Sequence, residues 1–196
     1  MNNFINIYTD GSCFNNGKKN ATGAIGVFFN DNDERNISLA IKDTKITNQT
    51  MELLACVNAI YKLQPGEKAY LYTDSSYVIN CMTVWIKNWE QNNWKTTTNK
   101  DVENIDLIKL LYQKTKKNIV IFKHVNAHTL EPSKESNMYK HWYGNNMADK
   151  LAVNANILNV KEIEDKKIED SLNEIINSTD KRKRISKKKI NKVIDI

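Results

Sequence analysis

The chain has 196 residues and a formal net charge of +6, with 40% hydrophobic and 27% charged residues. This length and composition allow one domain with a hydrophobic core, and they exclude collagen-like, mucin-like and wholly disordered chains. The positive charge suits a polyanionic partner but does not establish one.

The first part of the chain has the pattern of three β-strands. Residues 3–9 form the first predicted strand, which ends at a turn signal over residues 10–12. Alternating apolar residues over 25–29 predict a second strand, and residues 36–42 predict a third. Strands that follow one another through short turns predict an antiparallel meander.

At Asn48 the apolar period changes to that of a helix. The predicted helix is capped by Thr47 or Asn48 and closed by Pro65-Gly66. The remaining predicted elements are a strand, two helices, a strand and a last helix, over residues 69–73, 75–89, 106–116, 119–122 and 145–156. This order predicts an α/β fold with a five-stranded mixed sheet, three antiparallel strands and then βαβ units, flanked by helices.

Four acidic residues fall where sites form in such sheets. Asp10 and Asp74 end predicted strands, Glu52 lies in the first turn or so of the first helix, and Asp149 lies near the start of the last. Clustered carboxylates repel one another unless divalent cations, Mg²⁺ for preference, neutralise them. Two such ions can cleave a phosphodiester. Each acid alone also has a structural explanation as a turn or helix-end residue, so their placement leaves a metal-dependent enzyme as a hypothesis.

Five short motifs occur in a fixed order along residues 3–156. They are Tyr8-Thr9-Asp10-Gly11-Ser12, Met51-Glu52-Leu53, Thr73-Asp74-Ser75-Ser76-Tyr77-Val78, His124-Val125-Asn126-Ala127-His128 and Gly144-Asn145-Asn146-Met147-Ala148-Asp149-Lys150-Leu151-Ala152. With these motifs the chain resembles the type 1 ribonucleases H. The resemblance implies an RNase H-like fold and an endoribonuclease that hydrolyses the RNA strand of RNA–DNA hybrids by two-metal-ion catalysis. The products it implies carry 5′-phosphate and 3′-hydroxyl ends.

The resemblance also implies roles for matched positions. Two Mg²⁺ ions, with Mn²⁺ as an alternative, would be held by Asp10, Glu52, Asp74 and Asp149. Glu52 would also sense the ribose 2′-OH beside the cut. His128 would act in proton transfer or product release, or is otherwise a surface loop histidine. We interpret His124 and His141 as surface or loop residues. The predicted substrate-binding residues are Gly11, Ser12, Asn16, Thr47, Asn48, Ser76, Trp89, Trp94 and Lys95.

Three segments depart from the pattern of the family. The segment 85–96 resembles the family's basic protrusion. The net charge over residues 84–104 is nevertheless zero, because this range contains three lysines and three acidic residues. Its tryptophans suit base stacking, although Trp85 is equally well explained as a core residue. The stretch 129–143 is longer than the family's usual loop, so we expect it to fold over the cleft or to contact the substrate. Ala127 stands where the family usually has Gly.

The C-terminal residues differ in composition from the rest. We expect a catalytic domain over residues 1–160 and a charged tail over 161–196, with a short helix and then a disordered segment rich in Lys and Arg. Residues 181–192 include eight basic residues and no acid. This cluster has three interpretations: a clamp for nucleic-acid phosphates, a nuclear import signal, or a solvated tail.

Cysteine content and hydropathy bear on the compartment. The three cysteines include no CxxC pair, and the first residues match no secretory signal. No apolar run has the length of a membrane span. We therefore expect an intracellular protein of the cytoplasm or nucleus, without a membrane partner. Because no apolar seam is evident, we also expect a monomer.

Three functions remain in competition at this point. They are an active endoribonuclease, a catalytically silent module that binds hybrids, and a nuclease or strand transferase of the same superfold that acts on DNA. The four intact carboxylates argue against the silent module. The Met-Glu-Leu helix and the His-Val-x-x-His loop favour the endoribonuclease over the DNA enzyme.

Overall fold

The structure is a computed structural model that describes residues 4–42, 45–127 and 129–194, with side chains described as far as residue 170. The chain divides into two compact units, Met1–Leu158 and Asn159–Ile196. Every residue predicted for the site belongs to the first unit. His128, one of the predicted catalytic residues, lies outside the described residues.

A five-stranded mixed sheet forms the centre of the first unit. Its strands are β1 (Ile5–Phe14), β2 (Thr22–Phe28), β3 (Ile37–Ile41), β4 (Lys68–Thr73) and β5 (Ile119–His124). They lie in the order β3-β2-β1-β4-β5. β1–β2 and β2–β3 are antiparallel pairs, whereas β1–β4 and β4–β5 are parallel. The predicted fold class is confirmed.

The first strand is longer than the sequence predicts. Asp10, Gly11 and Ser12 lie inside β1, where they pair with residues 24–26 of β2. The predicted turn at 10–12 is therefore wrong. Local turn propensity is overridden here because a full cross-strand partner is available on β2. As a result, Asp10 sits on a rigid central strand.

The helices are α1 (Asn48–Tyr61), α2 (Ser76–Asn80), a π-helical segment (Cys81–Trp85), α3 (Ile86–Gln91), α4 (Ile105–Thr115) and α5 (Tyr139–Ile194). The predicted helix over 75–89 thus contains a π-helical interruption. α5 begins at Tyr139, inside the predicted loop 129–143, and extends past the predicted end at residue 156. No Gly or Pro follows Gly144, so no residue of either kind interrupts the helix. α5 continues to Ile194, through the segment for which disorder is predicted from the sequence. The domain division near residue 160 stays a prediction.

The core lies between the sheet and the helices α1 and α4. Its fully buried side chains include Ile7, Leu53, Leu71 and Ile108. Trp85, Trp89 and Trp94 are partly buried and pack against this core. Within the parts of the chain that the structure describes, no helix has both the length and the hydrophobicity that crossing a membrane requires.

Candidate active site

Three of the four predicted metal ligands meet at the middle of the sheet. Asp10 comes from β1, Glu52 is the fifth residue of α1, and Asp74 directly follows β4. One carboxylate oxygen of each lies within 4.8 Å of the others. Asp10 is buried, with 8% of its surface exposed. The fold therefore concentrates three negative charges at one partly buried point.

The close approach of α1 to β1 depends on Gly11. A Cβ atom at this position would overlap two backbone atoms of α1, the nitrogen of Glu52 and the carbonyl carbon of Met51. Helix backbone cannot yield as a flexible side chain can, so glycine is required here. Gly11, which the sequence predicts as a substrate-binding residue, permits the close approach of the two ligand-bearing elements.

Burial and mutual repulsion govern the protonation of this cluster. Burial, helped by the nearby charges of Asp74 and Asp149, raises the pKa of Asp10 to about 7, although the Gly11 N–H opposes the shift. Burial also raises the pKa of Glu52 well above its ordinary value, with Asp10 and Asp74 adding repulsion. A carboxylate cluster with such raised pKa values is poised to exchange protons for a cation.

One buried oxygen in the cluster has no partner among the described groups. Glu52 Oε2 is buried and accepts no hydrogen bond in the part of the chain that the structure describes. An unsatisfied carboxylate oxygen is costly in a protein interior. The donor set consists entirely of carboxylate oxygens, which hard divalent cations prefer. The residues present therefore fit a divalent metal ion.

Asp149 reaches the same cleft from α5. It lies outside the tight group of three, but its charge raises the pKa of Asp10. With Asp74 it lines a cleft of about 80 Å³. α5 comes close to the sheet because β2 has Gly26, where a Cβ would overlap the Ala148 carbonyl oxygen. The fourth predicted ligand thus faces the cleft.

Asn145 is a further residue of the site and is not among the predicted site residues. Its Nδ2 donates a hydrogen bond of 3.3 Å to Oδ2 of Asp74. Its Oδ1 is buried and, among the described residues, has no partner. Asn145 lies one helical turn before Asp149 and lines the same cleft. The i, i+4 spacing of Asn145 and Asp149 is the feature of the sequence that could have indicated this role.

The predicted substrate contacts near α1 fall into two groups. The backbone N–H of Asn48 donates to Asn16 Oδ1 over 3.2 Å, which joins these two residues at the surface. Thr47 is the N-cap of α1, and its side chain forms a capping box with Thr50. Ser12, in contrast, is buried, and its Oγ accepts a hydrogen bond from Asn156 Nδ2 over 3.1 Å. Its hydroxyl is directed into the protein.

Two histidines lie near the cleft. Nε2 of the exposed His124 is 3.1 Å from the backbone oxygen of Asp74 and 3.5 Å from Oγ of Ser76. His141 is partly buried, with its Nδ1 3.1 Å from the hydroxyl of Tyr8. The interpretation of His141 as a surface or loop residue is therefore wrong. His141 lies within α5, which begins at Tyr139, and its ring is directed toward Tyr8 of the sheet.

The segment 85–96 stands apart from the carboxylates. Trp89 and Trp94 pack on the core, and neither they nor Lys95 line the carboxylate cleft. Lys95 is paired with Asp101 at 2.5 Å, and Lys109 Nζ lies 4.7 Å above the ring of Trp94. Within residues 84–104, whose charges cancel, Lys95 and Asp101 therefore form an ion pair. Both tryptophans are only partly buried, so each still presents a face to solvent.

We expect Thr47→Ala to destabilise the chain by about 1 kcal/mol, because the capping box of α1 is lost. Thr47→Ser keeps the hydroxyl and should restore most of this stability. Urea unfolding of the two variants checks the prediction. Equal stability of Thr47→Ala and the parent chain would contradict it, and a raised KM for hybrid in Thr47→Ser would indicate a separate contact with substrate.

Comparison with known proteins places this site in a family. The model of the RNase H family matches residues 2–157. The chain belongs to the RNase H family. A ribonuclease H of Clostridium botulinum (strain Hall) is 40% identical over 148 residues, which is 74% of this chain and 91% of that protein. The ribonuclease HI of Rickettsia prowazekii (strain Madrid E) is 36% identical over 153 residues, 78% and 91% of the two chains.

Solved structures give the same fold. LC9-RNase H1, a type 1 RNase H with the type 2 active-site motif, superposes with a TM-score of 0.57 at 23% identity, covering 78% of this chain and 72% of that one. At that identity the likeness establishes the RNase H fold alone. Within the family match lie all four carboxylates and the segment 129–143.

Proposed function

We propose that this RNase H is an endonuclease that hydrolyses the RNA strand of RNA–DNA hybrids, with two Mg²⁺ ions held by Asp10, Glu52, Asp74 and Asp149. Mn²⁺ is the alternative metal. The products carry 5′-phosphate and 3′-hydroxyl ends. The observation that carries this proposal is the group of three carboxylates within 4.8 Å, in which one buried Glu52 oxygen has no described partner.

When bound, a pair of divalent ions activates a water molecule and stabilises the leaving oxygen. The chain's own residues prepare this chemistry. Asp10 is held by the rigid strand β1, and Glu52 is held by the close packing of α1 at Gly11. Asn145 orients the Asp74 carboxylate through its hydrogen bond. Asp10 and Glu52 would hold such a cation as carboxylates, because its positive charge would offset the burial and repulsion that raise their pKa values.

The remaining predicted residues complete the proposal. Glu52 is placed to sense the ribose 2′-OH, and His128 assists proton transfer or product release. The hybrid is bound by Gly11, Ser12, Asn16, Thr47, Asn48, Ser76, Trp89, Trp94 and Lys95. The backbone N–H of Asn48 donates a hydrogen bond to the side chain of Asn16 at the surface, and this pairing supports their assignment. The buried hydroxyl of Ser12 leaves only its backbone for such a contact.

The two parts of the chain have different roles in this proposal. We propose that residues 1–160 form the catalytic domain and that the tail 161–196 adds sequence-independent phosphate contacts through its basic cluster. The enzyme acts as a monomer inside the cell, in the cytoplasm or in the nucleus. The Lys and Arg residues between 181 and 192 support either phosphate binding or nuclear import.

The proposal is tested with an end-labelled RNA–DNA hybrid in Mg²⁺, alongside duplex DNA, duplex RNA and single strands. We expect cleavage of the hybrid's RNA strand alone, and no cleavage in EDTA. A single 2′-deoxy substitution at the cut site should confer resistance. Binding without cleavage in both Mg²⁺ and Mn²⁺ would instead indicate a silent module, and cleavage at the deoxy position would indicate a DNA nuclease.

A further inference from the structure

A second pocket, of about 330 Å³, adjoins the carboxylate cleft. It is lined by residues at the ends of β4 and β5 and by residues from the stretches 125–126 and 129–142. Asn126, Thr129 and Trp142 line both this pocket and the cleft that contains Asp74 and Asp149. The two spaces are therefore neighbours that share a wall.

The chemistry of the pocket suits a flat, neutral group. The rings of Tyr72 and His141 lie 4.5 Å apart, and Trp142 also lines the pocket. Leu130 and Met138 add apolar walls and are 94% and 67% exposed. None of the described residues that line the pocket is Asp, Glu, Lys or Arg. A phosphate would find no Lys or Arg among these lining residues, whereas an aromatic base would find rings and methyl groups.

The aromatic side chains are fixed by hydrogen bonds to the scaffold. Trp142 Nε1 donates to the carbonyl oxygen of Thr129 over 3.0 Å. His141 Nδ1 lies 3.1 Å from the hydroxyl of Tyr8 on β1. Burial, with the charge of Lys140, lowers the pKa of His141, which favours its neutral form. Preformed, uncharged rings of this kind bind a base without first having to be ordered.

We propose that this pocket binds one unpaired nucleobase of the RNA strand close to the cut, so that the enzyme favours hybrids with a bulged or splayed RNA nucleotide beside the active site. The inference rests on the proposed function and narrows its substrate class. The RNA strand is the occupant because it is the strand that the carboxylate cleft must hold. The pocket volume accepts one base, and unstacked RNA bases are commonly bound on aromatic side chains.

Binding is measured by fluorescence anisotropy with the full chain carrying Asp10→Asn, which prevents cleavage. The probes are a fully paired hybrid and the same hybrid with one extra 2-aminopurine ribonucleotide in the RNA. Stacking of one base on aromatic side chains makes us expect about tenfold tighter binding of the bulged hybrid. The 2-aminopurine fluorescence should fall on binding, because the base stacks on the rings.

The double substitution Leu130→Ser and Met138→Ser removes the apolar wall that would cover a base on the rings, and it changes only exposed side chains. We expect the preference for the bulged hybrid to be lost while binding of the paired hybrid is unchanged. Leu158→Ser is the matched control, because Leu158 is 65% exposed and lies about 30 Å further along α5. It should keep the full preference.

Three results would overturn the proposal: equal affinity for bulged and paired hybrids, a preference that survives the double substitution, or a preference only when the extra nucleotide is in the DNA strand. The proposed function is judged separately. If the parent chain fails to cleave the paired hybrid in Mg²⁺, that function fails; if it cleaves normally but shows no preference for a bulge, the pocket proposal alone fails.

Discussion

Asp10→Asn is expected to reduce the rate of hybrid cleavage by a factor of about a thousand or more. The side chain stays almost the same size, so β1 and its packing remain. What is lost is the most buried charge of the carboxylate group, which sits within 4.8 Å of Glu52 and Asp74. A neutral amide oxygen holds a divalent ion far less well than a carboxylate, so the proposed two-metal chemistry would fail in this variant. Single-turnover cleavage of labelled hybrid in Mg²⁺ measures the loss.

The same substitution should stabilise the metal-free protein at alkaline pH. The pKa of Asp10 is raised to about 7, so the folded chain holds a proton that the unfolded chain releases near pH 4. The stabilising contribution of that proton is complete below about pH 4 and is lost as the pH rises through about 7. At pH 8 the parent chain therefore bears an uncompensated buried charge, which Asn removes.

Thermal unfolding in EDTA tests this opposition between stability and activity. We expect Asp10→Asn to melt roughly 5 °C or more above the parent at pH 8, and with little difference at pH 4. Adding Mg²⁺ should raise the melting temperature of the parent more than that of the variant. A variant that melts below the parent at pH 8, or that cleaves hybrid at the parent's rate, would contradict the assignment.

Asp33→Asn is the matched control. Hydrogen bonds from Arg35 lower the pKa of Asp33, so its charge stabilises the fold above about pH 4 and that contribution is lost as the pH falls through the lowered value. The expected change at pH 8 is thus a small loss of stability, opposite in sign to that of Asp10→Asn. Cleavage should be unchanged, because Asp33 belongs to a surface turn.

The sequence predicts the order of the elements and three of the clustered acids because both depend on local pattern. The change from alternating to helical periodicity at Asn48 follows from which faces are buried. The prediction of a turn at residues 10–12 is wrong because these residues pair with residues of β2 that lie 12 to 16 positions further along the chain. Short-range propensity contains no information about such a partner.

Other features of the site depend on residues that are distant in sequence. The hydrogen bond between Asn145 and Asp74 joins positions 71 residues apart, and that between Asn156 and Ser12 joins positions 144 apart. The pocket beside the cleft depends on α5 starting at Tyr139, within a segment that the sequence indicates only as a long loop. Side-chain neighbours of this kind are set by packing, which a linear pattern does not specify.

Gly11→Ala should disrupt the site through the backbone alone. The added methyl would overlap the nitrogen of Glu52 and the carbonyl carbon of Met51, so α1 must move away from β1. Overpacking against backbone costs about 3 kcal/mol. The displacement also separates Glu52 from Asp10, and misplacement of a catalytic group by about 1 Å can cost about a hundredfold in rate. We therefore expect lower stability together with a loss of cleavage that exceeds the unfolded fraction.

Gly17→Ala separates this effect from the general cost of replacing a glycine. Gly17 has φ of +78°, and a Cβ there meets nothing within 4 Å, so only backbone strain of about 1 kcal/mol is added. Urea unfolding and cleavage well below the melting temperature should show Gly17→Ala slightly destabilised and fully active. If Gly11→Ala behaves in the same way, contact between α1 and β1 does not set the carboxylate geometry. If it folds but no longer gains stability from Mg²⁺, the spacing of the two elements is what builds the metal site.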